Sequence, residues 1–337
     1  MEGPFPAILV VGPSWVGDMV MAQSLFIALQ SCQTCSIDVL APPWSLPLLA
    51  RMPEVRRGIS MPLGHGQVQL GVRWQLGKSL RKEGYTRAIV LPGSFKSALV
   101  PLFARIERRT GFRGEFRYGL LNDLRHLDKT ALPMTVQRFV SLAGAPGAPL
   151  PAPFPFPRMV ADAENQQRLR RTFELPDQPA IAFMPGAEYG PAKQWPVPYF
   201  ARLAASLASR GYQVWVLGSA KDREAGDVIA AGNPAVRNLA GRTELGDAVD
   251  LIAMTRAAVS NDSGLMHVAA AVNTPLVAIF GSSSPDHTPP LSESARVMWL
   301  RLECAPCFKR VCPLGHTHCL TGIEPEAVLE MLDDLLT

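Results

Sequence analysis

The sequence predicts an α/β protein of two lobes, each a doubly wound, Rossmann-like parallel sheet, facing a central cleft. Three observations carry this expectation. Short apolar, β-branched runs alternate with longer stretches of helical period, a proline-dense segment interrupts the alternation near the middle, and the polar, glycine-bearing motifs directly follow the apolar runs. Strand then helix, repeated, builds a parallel sheet, because parallel neighbours need a long crossover between them. A chain of 337 residues also exceeds the usual single domain, so two bodies of roughly 150 residues each are expected.

In the first half, Ala7 to Gly12 (AILVVG) reads as a strand, MVMAQSLFIALQ as a helix, and IDVLA and AIVLP as further strands. Pro146, Pro149, Pro151, Pro153, Pro155 and Pro157 then exclude helix and interior strand and favour an extended connector. The first lobe is therefore assigned to 1–150, a linker to 151–160 and the second lobe to 161–322. In that second lobe AIAFMPG, QVWVLGS, RNLAG, AAVSND and LVAIFGS read as strands, with helices at PYFARLAASLASRG and through Ala230. Gly211 after Arg210 is a helix stop. The closing segment 323–337 holds an amphipathic helix, PEAVLEMLDDLL.

A hydrophobic content of 47% with 18% charged residues excludes a disordered chain. No apolar run approaches the roughly 20 residues that span a bilayer, and the first residues carry no basic region ahead of their short apolar stretch, so a cytoplasmic location is expected. The net charge of +4 is modest, yet Arg105, Arg108, Arg109, Arg113, Arg117, Arg125 and Lys129 crowd one stretch. That stretch either faces an anionic partner, such as a phosphorylated lipid head group or sugar, or is a solvated face paired with Glu107, Glu115 and Asp123. No nucleic-acid-binding motif accompanies it.

Open α/β sheets bind ligands at the carboxyl ends of their strands, so the loops there are the candidates. VVGPSWVGDMVM is neither a G-x-G-x-x-G fingerprint nor a phosphate loop. It places Asp18 where a helix begins, either as a cap or as a general base kept ionised by the helix terminus. FMPGAEYGPAKQWP brings Glu188, Lys193 and Trp195; the lysine is either a surface charge or a mobile cation that stabilises a departing diphosphate without a metal. In AAVSNDSGLMHVAAA, Asn261, Asp262 and Ser263 close a strand and cap a helix, and Gly264 permits close backbone approach. The helix start would hold a diphosphate and Asp262 would accept hydrogen bonds from sugar hydroxyls. His267 follows one turn later on the same face, as ligand contact or as structural residue. After QVWVLGS, Asp222 or Glu224 could bind ribose hydroxyls, and Ser282 to Asp286 are placed along the donor pocket.

Ten segments in order carry a resemblance: GPSWVGDMVMAQSL, APPWSLPLLARMPEV, MPLGHG, LPGSFKSALVPLF, RTGFRGEFRYGLLND, PGAEYGPAKQWP, GSAKDREAG, NLAGRTEL, NDSGLMHVAAA and GSSSPDHTPPLS. Together they resemble the ADP-heptose:lipopolysaccharide heptosyltransferases, nearly end to end. The resemblance implies a GT-B fold with an acceptor-binding first lobe, an ADP-heptose-binding second lobe and a final helix returning to the first lobe. It implies inverting transfer of L-glycero-D-manno-heptose from ADP-heptose to the first heptose of the lipopolysaccharide inner core. Alternatives are transfer to Kdo, or a nucleotide-sugar epimerase or hydrolase on the same fold. By this likeness Asp18 matches the catalytic base and Lys193 the phosphate-binding lysine. Asp262, Ser263, Gly264 and His267 match the donor-binding set, joined by Glu188, Tyr189, Asp222 and Thr243. No cofactor is required, stimulation by Mg2+ is compatible with the reading, and the acceptor is heptosyl-Kdo2-lipid A. The implied place is the cytoplasmic face of a Gram-negative inner membrane, held peripherally.

One group falls outside the resemblance. Cys304, Cys307, Cys312 and Cys319, interspersed with His316 and His318, admit either a zinc or iron–sulfur centre or a loop of free thiols, and no metal is assigned to them. A second Cys-x-x-Cys pair, Cys32 and Cys35, lies near the start.

Overall fold

The computed structural model describes residues 6–64 and 66–337; the first five residues, and His65 in the MPLGHG segment, lie outside the described residues. The chain divides into two compact units between Pro157 and Arg158, within the proline-rich segment.

The first unit holds β1 (Ala7–Val11), β2 (Ser36–Ala41), β3 (Val55–Ser60), β4 (Tyr85–Val90), β5 (Arg108–Phe112) and β6 (Asp123–Arg125). They pair in the order β3-β2-β1-β4-β5-β6, parallel throughout. The second unit holds β7 (Ala180–Met184), β8 (Gln213–Val216), β9 (Val236–Asn238), β10 (Ala257–Asn261), β11 (Leu276–Phe280) and β12 (Ala295–Trp299). Their order, β12-β11-β10-β7-β8-β9, repeats the winding of the first sheet. In each sheet the order reverses beside the unit's first strand, at β1/β4 and at β7/β10, and open crevices at such reversals are where doubly wound sheets take ligands.

Central strands are buried on both faces, which is why AILVV, AIAFM and LVAIF carry no polar residue at all. Val259 of β10 sits in register between Val277 of β11 and Phe183 of β7, and all three belong to the core of the second unit with Trp195, Phe200, Leu203 and Leu207. In the first unit, Asp38 is fully buried on β2 and serves as the hub of a polar cluster. It accepts from Arg56 Nε and Nη2 (2.8 Å each), Arg57 Nε (3.2 Å) and Tyr85 Oη (2.5 Å). These donors outweigh burial and hold the carboxyl below its ordinary value; burial, with Asp38 beside it, pushes the Tyr85 phenol up to about 12.

The final helix, Pro325–Leu336, packs within the second unit, against the helix Val197–Ser209 and strands β10 and β11. The reason is its apolar stripe: Val328 and Leu332 are fully buried in the same core as Phe200, Leu203 and Leu207. Ion pairs from Arg202 to Glu326 (2.7 Å) and Arg210 to Asp333 (2.6 Å) reinforce the seam. Among the described residues, no helix is long and apolar enough to cross a membrane.

Candidate active site

In the first unit, the helix after β1 spans Val16–Cys32 with Trp15 at its N-cap, so it starts two residues before the expected point. Asp18 therefore lies inside the first turn, half-buried, and does not cap the helix. A carboxylate there sits at the positive end of the helix, which favours its charged form. The basic stretch divides in two. Arg108 and Arg125 both pair with Asp123 (2.9 and 3.1 Å), whose carboxyl those cations and Thr110, against the opposing effect of burial, pull down to about 2. Arg109 donates to the backbone oxygens of Leu120 (2.7 Å) and Ile106 (2.6 Å), and Arg117 is buried with the carbonyls of Pro92 (2.6 Å) and Phe112. Those four cations hold the fold together. Arg105, Arg113 and Lys129 have no carboxylate partner among the described residues and are the ones left for an anion; Arg113 lies over the Tyr118 ring.

In the second unit the sheet reversal brings the loop after β7 against the loop after β10. Lys193 Nζ and the Asp262 carboxylate form an ion pair, and Ser283 Oγ donates to the same Asp262 oxygen at 2.5 Å. Asp262 is buried, whereas the Lys193 side chain keeps 17% of its surface exposed. Ser263 caps the helix Gly264–Ala271, its Oγ accepting from Met266 N at 3.4 Å. The ammonium, the buried carboxylate and the positive start of a helix thus meet at one sheet reversal, an arrangement suited to holding an anion. His267, about one turn of helix below that start, is buried beside the pair. Burial lowers its pKa to about 4, the Lys193 charge adding to the effect and Asp262 opposing it, so the imidazole is neutral near pH 7.

Asn261 locks the two loops together. Its Oδ1 accepts from Trp195 N (2.9 Å) and its Nδ2 donates to the Pro185 carbonyl (2.6 Å), while Trp195 Nε1 donates to Ile323 O (2.8 Å). Tyr189 is half-buried with its ring 5.1 Å from Lys193 Nζ, and its hydroxyl donates to Phe308 O at 2.7 Å. Glu188 is exposed and paired with Lys221 at 2.5 Å, which ties the loops after β7 and β8. Asp222 is taken up by its own turn, its Oδ2 accepting from Ser219 N and Oγ (2.8 Å each). It packs so closely on Gly186 and Gly218 that a Cβ at either would come within 2.5 or 2.7 Å of its carboxylate. Glu224 is exposed in the helix Arg223–Ala230. Thr243 is half-buried beyond β9, in a loop joined to that after β8 by Gly241 N to Gly218 O (2.9 Å). Ser282, Ser283 and Ser284 are buried after β11. Of these, the locking role of Asn261 and the Ser283 contact were not foreseen; the Asn-Asp-Ser run marks a cap, but nothing local says which loop 66 residues away its amide holds.

Residues 73–318 match the model of glycosyltransferase family 9 (heptosyltransferase). The chain is 52% identical to lipopolysaccharide heptosyltransferase 2 of Escherichia coli (strain K12), covering 98% of each, and 49% identical to lipooligosaccharide heptosyltransferase 2 of Haemophilus influenzae, covering 98% of this chain and 99% of that one. Its structure is similar to that of the E. coli ADP-heptose LPS heptosyltransferase II, with a TM-score of 0.89 at 51% identity over 98% of each chain. The fold class is GT-B, and the protein belongs to glycosyltransferase family 9, the heptosyltransferases.

Proposed function

We propose that this enzyme is a heptosyltransferase II: it moves L-glycero-D-manno-heptose from ADP-heptose to the first heptose of the lipopolysaccharide inner core, inverting the anomeric carbon. The observation that carries the donor half is the Lys193–Asp262–Ser283 cluster beside the helix start at Ser263. The full-length likeness to heptosyltransferases 2 of two bacteria supports the acceptor.

In this reading the diphosphate lies on the helix start. As the glycosidic bond breaks, its electron pair passes to the β-phosphate oxygen, and Lys193 stabilises that charge without a metal. Asp262 holds the ammonium in place from below, and Ser283 fixes Asp262. Neutral His267 adds no positive charge and is free to donate or accept one hydrogen bond. Asp18 takes the proton from the acceptor hydroxyl as that oxygen bonds to the anomeric carbon from the opposite face. Ionised but weakly basic, it suits a transition state in which the sugar already carries oxocarbenium character. The first unit serves the acceptor and the second the donor, with Arg105, Arg113 and Lys129 available to the anionic Kdo and phosphate groups near it, and the membrane surface is met peripherally.

The decisive assay offers ADP-heptose with acceptors ending in Kdo or in one heptose. Extension of the heptose-ended acceptor alone is expected; extension of the Kdo-ended one, or release of free heptose or an epimer without acceptor, overturns the assignment. Asp18→Asn is expected to lower kcat by about 10²–10⁴ while leaving ADP binding intact; undiminished turnover removes it as the base.

A further inference from the structure

We infer that Cys304, Cys307, Cys312 and Cys319 form a four-thiolate site for one tetrahedral divalent ion of the zinc class, and that this ion clamps the loop against which the donor-binding lysine is set. The inference concerns a part of the chain the transfer reaction does not use.

The four cysteines are spaced Cys-x2-Cys-x4-Cys-x6-Cys, and all of them are free thiols. They line a single small cavity of about 20 Å³ together with Ala192, Ser282 and His316. That is room for one water-sized occupant. Ser282 Oγ is buried in the cavity wall and has no partner among the described residues, a donor suited to a thiolate. As the thiols stand, no group of three or more His, Cys, Asp or Glu side chains among the described residues is set to hold an ion. Each sulfur swings on a single χ1 bond, so an ion at the centre would draw them in, each thiol giving its proton to solvent as it ligates.

The segment is fastened at its ends, where Leu320 is buried in the core of the second unit and Leu302 and Ala305 pack against it, but its middle contributes no buried apolar residue. Between β12 and the final helix its only regular element is the short helix His318–Thr321, and Phe308, Val311 and Leu314 are 46%, 67% and 61% exposed, so it builds no core of its own. Small, coreless, cysteine-bearing loops are what structural zinc sites stabilise. This one reaches the donor site directly. Arg310 O accepts from Ala192 N (3.0 Å), Phe308 N donates to Ser282 O (2.7 Å), and Tyr189 Oη donates to Phe308 O (2.7 Å). The Arg310 guanidinium lies 5.2 Å from the Tyr189 ring on which Lys193 also rests. Gly190 approaches Arg310 so closely that a Cβ would meet its carbonyl oxygen at 2.6 Å. Loosening the cysteine loop would therefore release the walls on both sides of Lys193.

The test is elemental analysis of the full chain, purified reduced and without a metal-affinity tag, followed by titration of the metal-stripped protein with Co2+. About one zinc or iron per chain is expected, with tetrahedral d–d and sulfur-to-cobalt charge-transfer bands on cobalt loading. Cys312→Ser and Cys319→Ser should lose the ion and the bands; Cys32→Ser should keep both. Stripping the ion should lower Tm and raise KM for ADP-heptose several-fold with little change in KM for the acceptor. Less than about a tenth of an ion per chain together with no cobalt bands in the reduced wild type overturns the site, as does an ion that survives Cys312→Ser. Metal content is read independently of turnover, so failure here and failure of the proposed reaction are distinguishable.

Discussion

Replacing Lys193 by Met separates what the lysine does for the fold from what it does for the reaction. Removing one member of a fully buried ion pair costs about 3–5 kcal/mol, because the remaining charge is stranded. Here Asp262 is 5% exposed but the lysine side chain is 17% exposed, and Ser283 continues to donate to the carboxylate, so the cost is placed lower, at about 2–3 kcal/mol. For a body the size of the second unit, each kcal/mol moves Tm by roughly 2–4 °C, giving a drop of roughly 4–12 °C. Asp262→Asn in the same background removes the stranded charge and should restore most of that loss. Turnover should behave differently: losing a cation aimed at the departing diphosphate costs about 10²–10³ in kcat, and the double variant should not regain it. Calorimetric melts and steady-state rates on the four proteins of the cycle measure both. A double variant as unstable as Lys193→Met would show that the pair is not coupled, and one that recovers kcat would show that Lys193 only neutralises Asp262.

Two further outcomes follow from the buried titrating groups. His267 has a folded pKa of about 4 against an ordinary 6.5, so as pH falls from about 6.5 to about 4 the unfolded chain gains a proton that the folded one refuses; stability from this group, full above 6.5, falls by roughly 3 kcal/mol over that window. His267→Gln should flatten the urea-melt stability profile between those pH values, and an unchanged slope would refute the buried neutral imidazole. In the first unit, Tyr85→Phe takes away the 2.5 Å donor to fully buried Asp38 and should cost about 1.5–3 kcal/mol at pH 7, read by urea denaturation; a loss under about 0.5 kcal/mol would mean Arg56 and Arg57 suffice alone.

How far the fold could be read from the sequence depended on which side of a strand faces water. β1, β7 and β11 lie inside their sheets and are apolar on both faces, so runs such as AIAFM and LVAIF announce them. β3, β6 and β12 are edge strands, and VRRGIS, DLR and ARVMW carry arginines that serve ion pairs or solvent, as does RRTGF of β5; no apolar run marks any of them. The basic stretch shows the same limit from another side. Counting charges shows seven cations, but only geometry shows that Arg109 and Arg117 spend theirs on backbone carbonyls and that Asp123 holds two more.

The candidate site was legible to the extent that chemistry follows strand ends. Both units wind their six strands in the same order, so the winding itself does not distinguish them. The loops at the two reversals do. After β1 there is a helix start bearing Asp18 in its first turn; after β7 and β10 there is a cation locked to a buried carboxylate, a capped helix and a buried imidazole. A carboxylate at a helix start repels a diphosphate, whereas the second arrangement offers it an ammonium and free amides. In the proposed reaction the nucleotide therefore falls to the second unit and the hydroxyl nucleophile to the first, and exchanging the charges, as in Asp18→Lys, should not create a second ADP site because the loop after β4, Leu91 to Ser94, brings no capped helix to meet it.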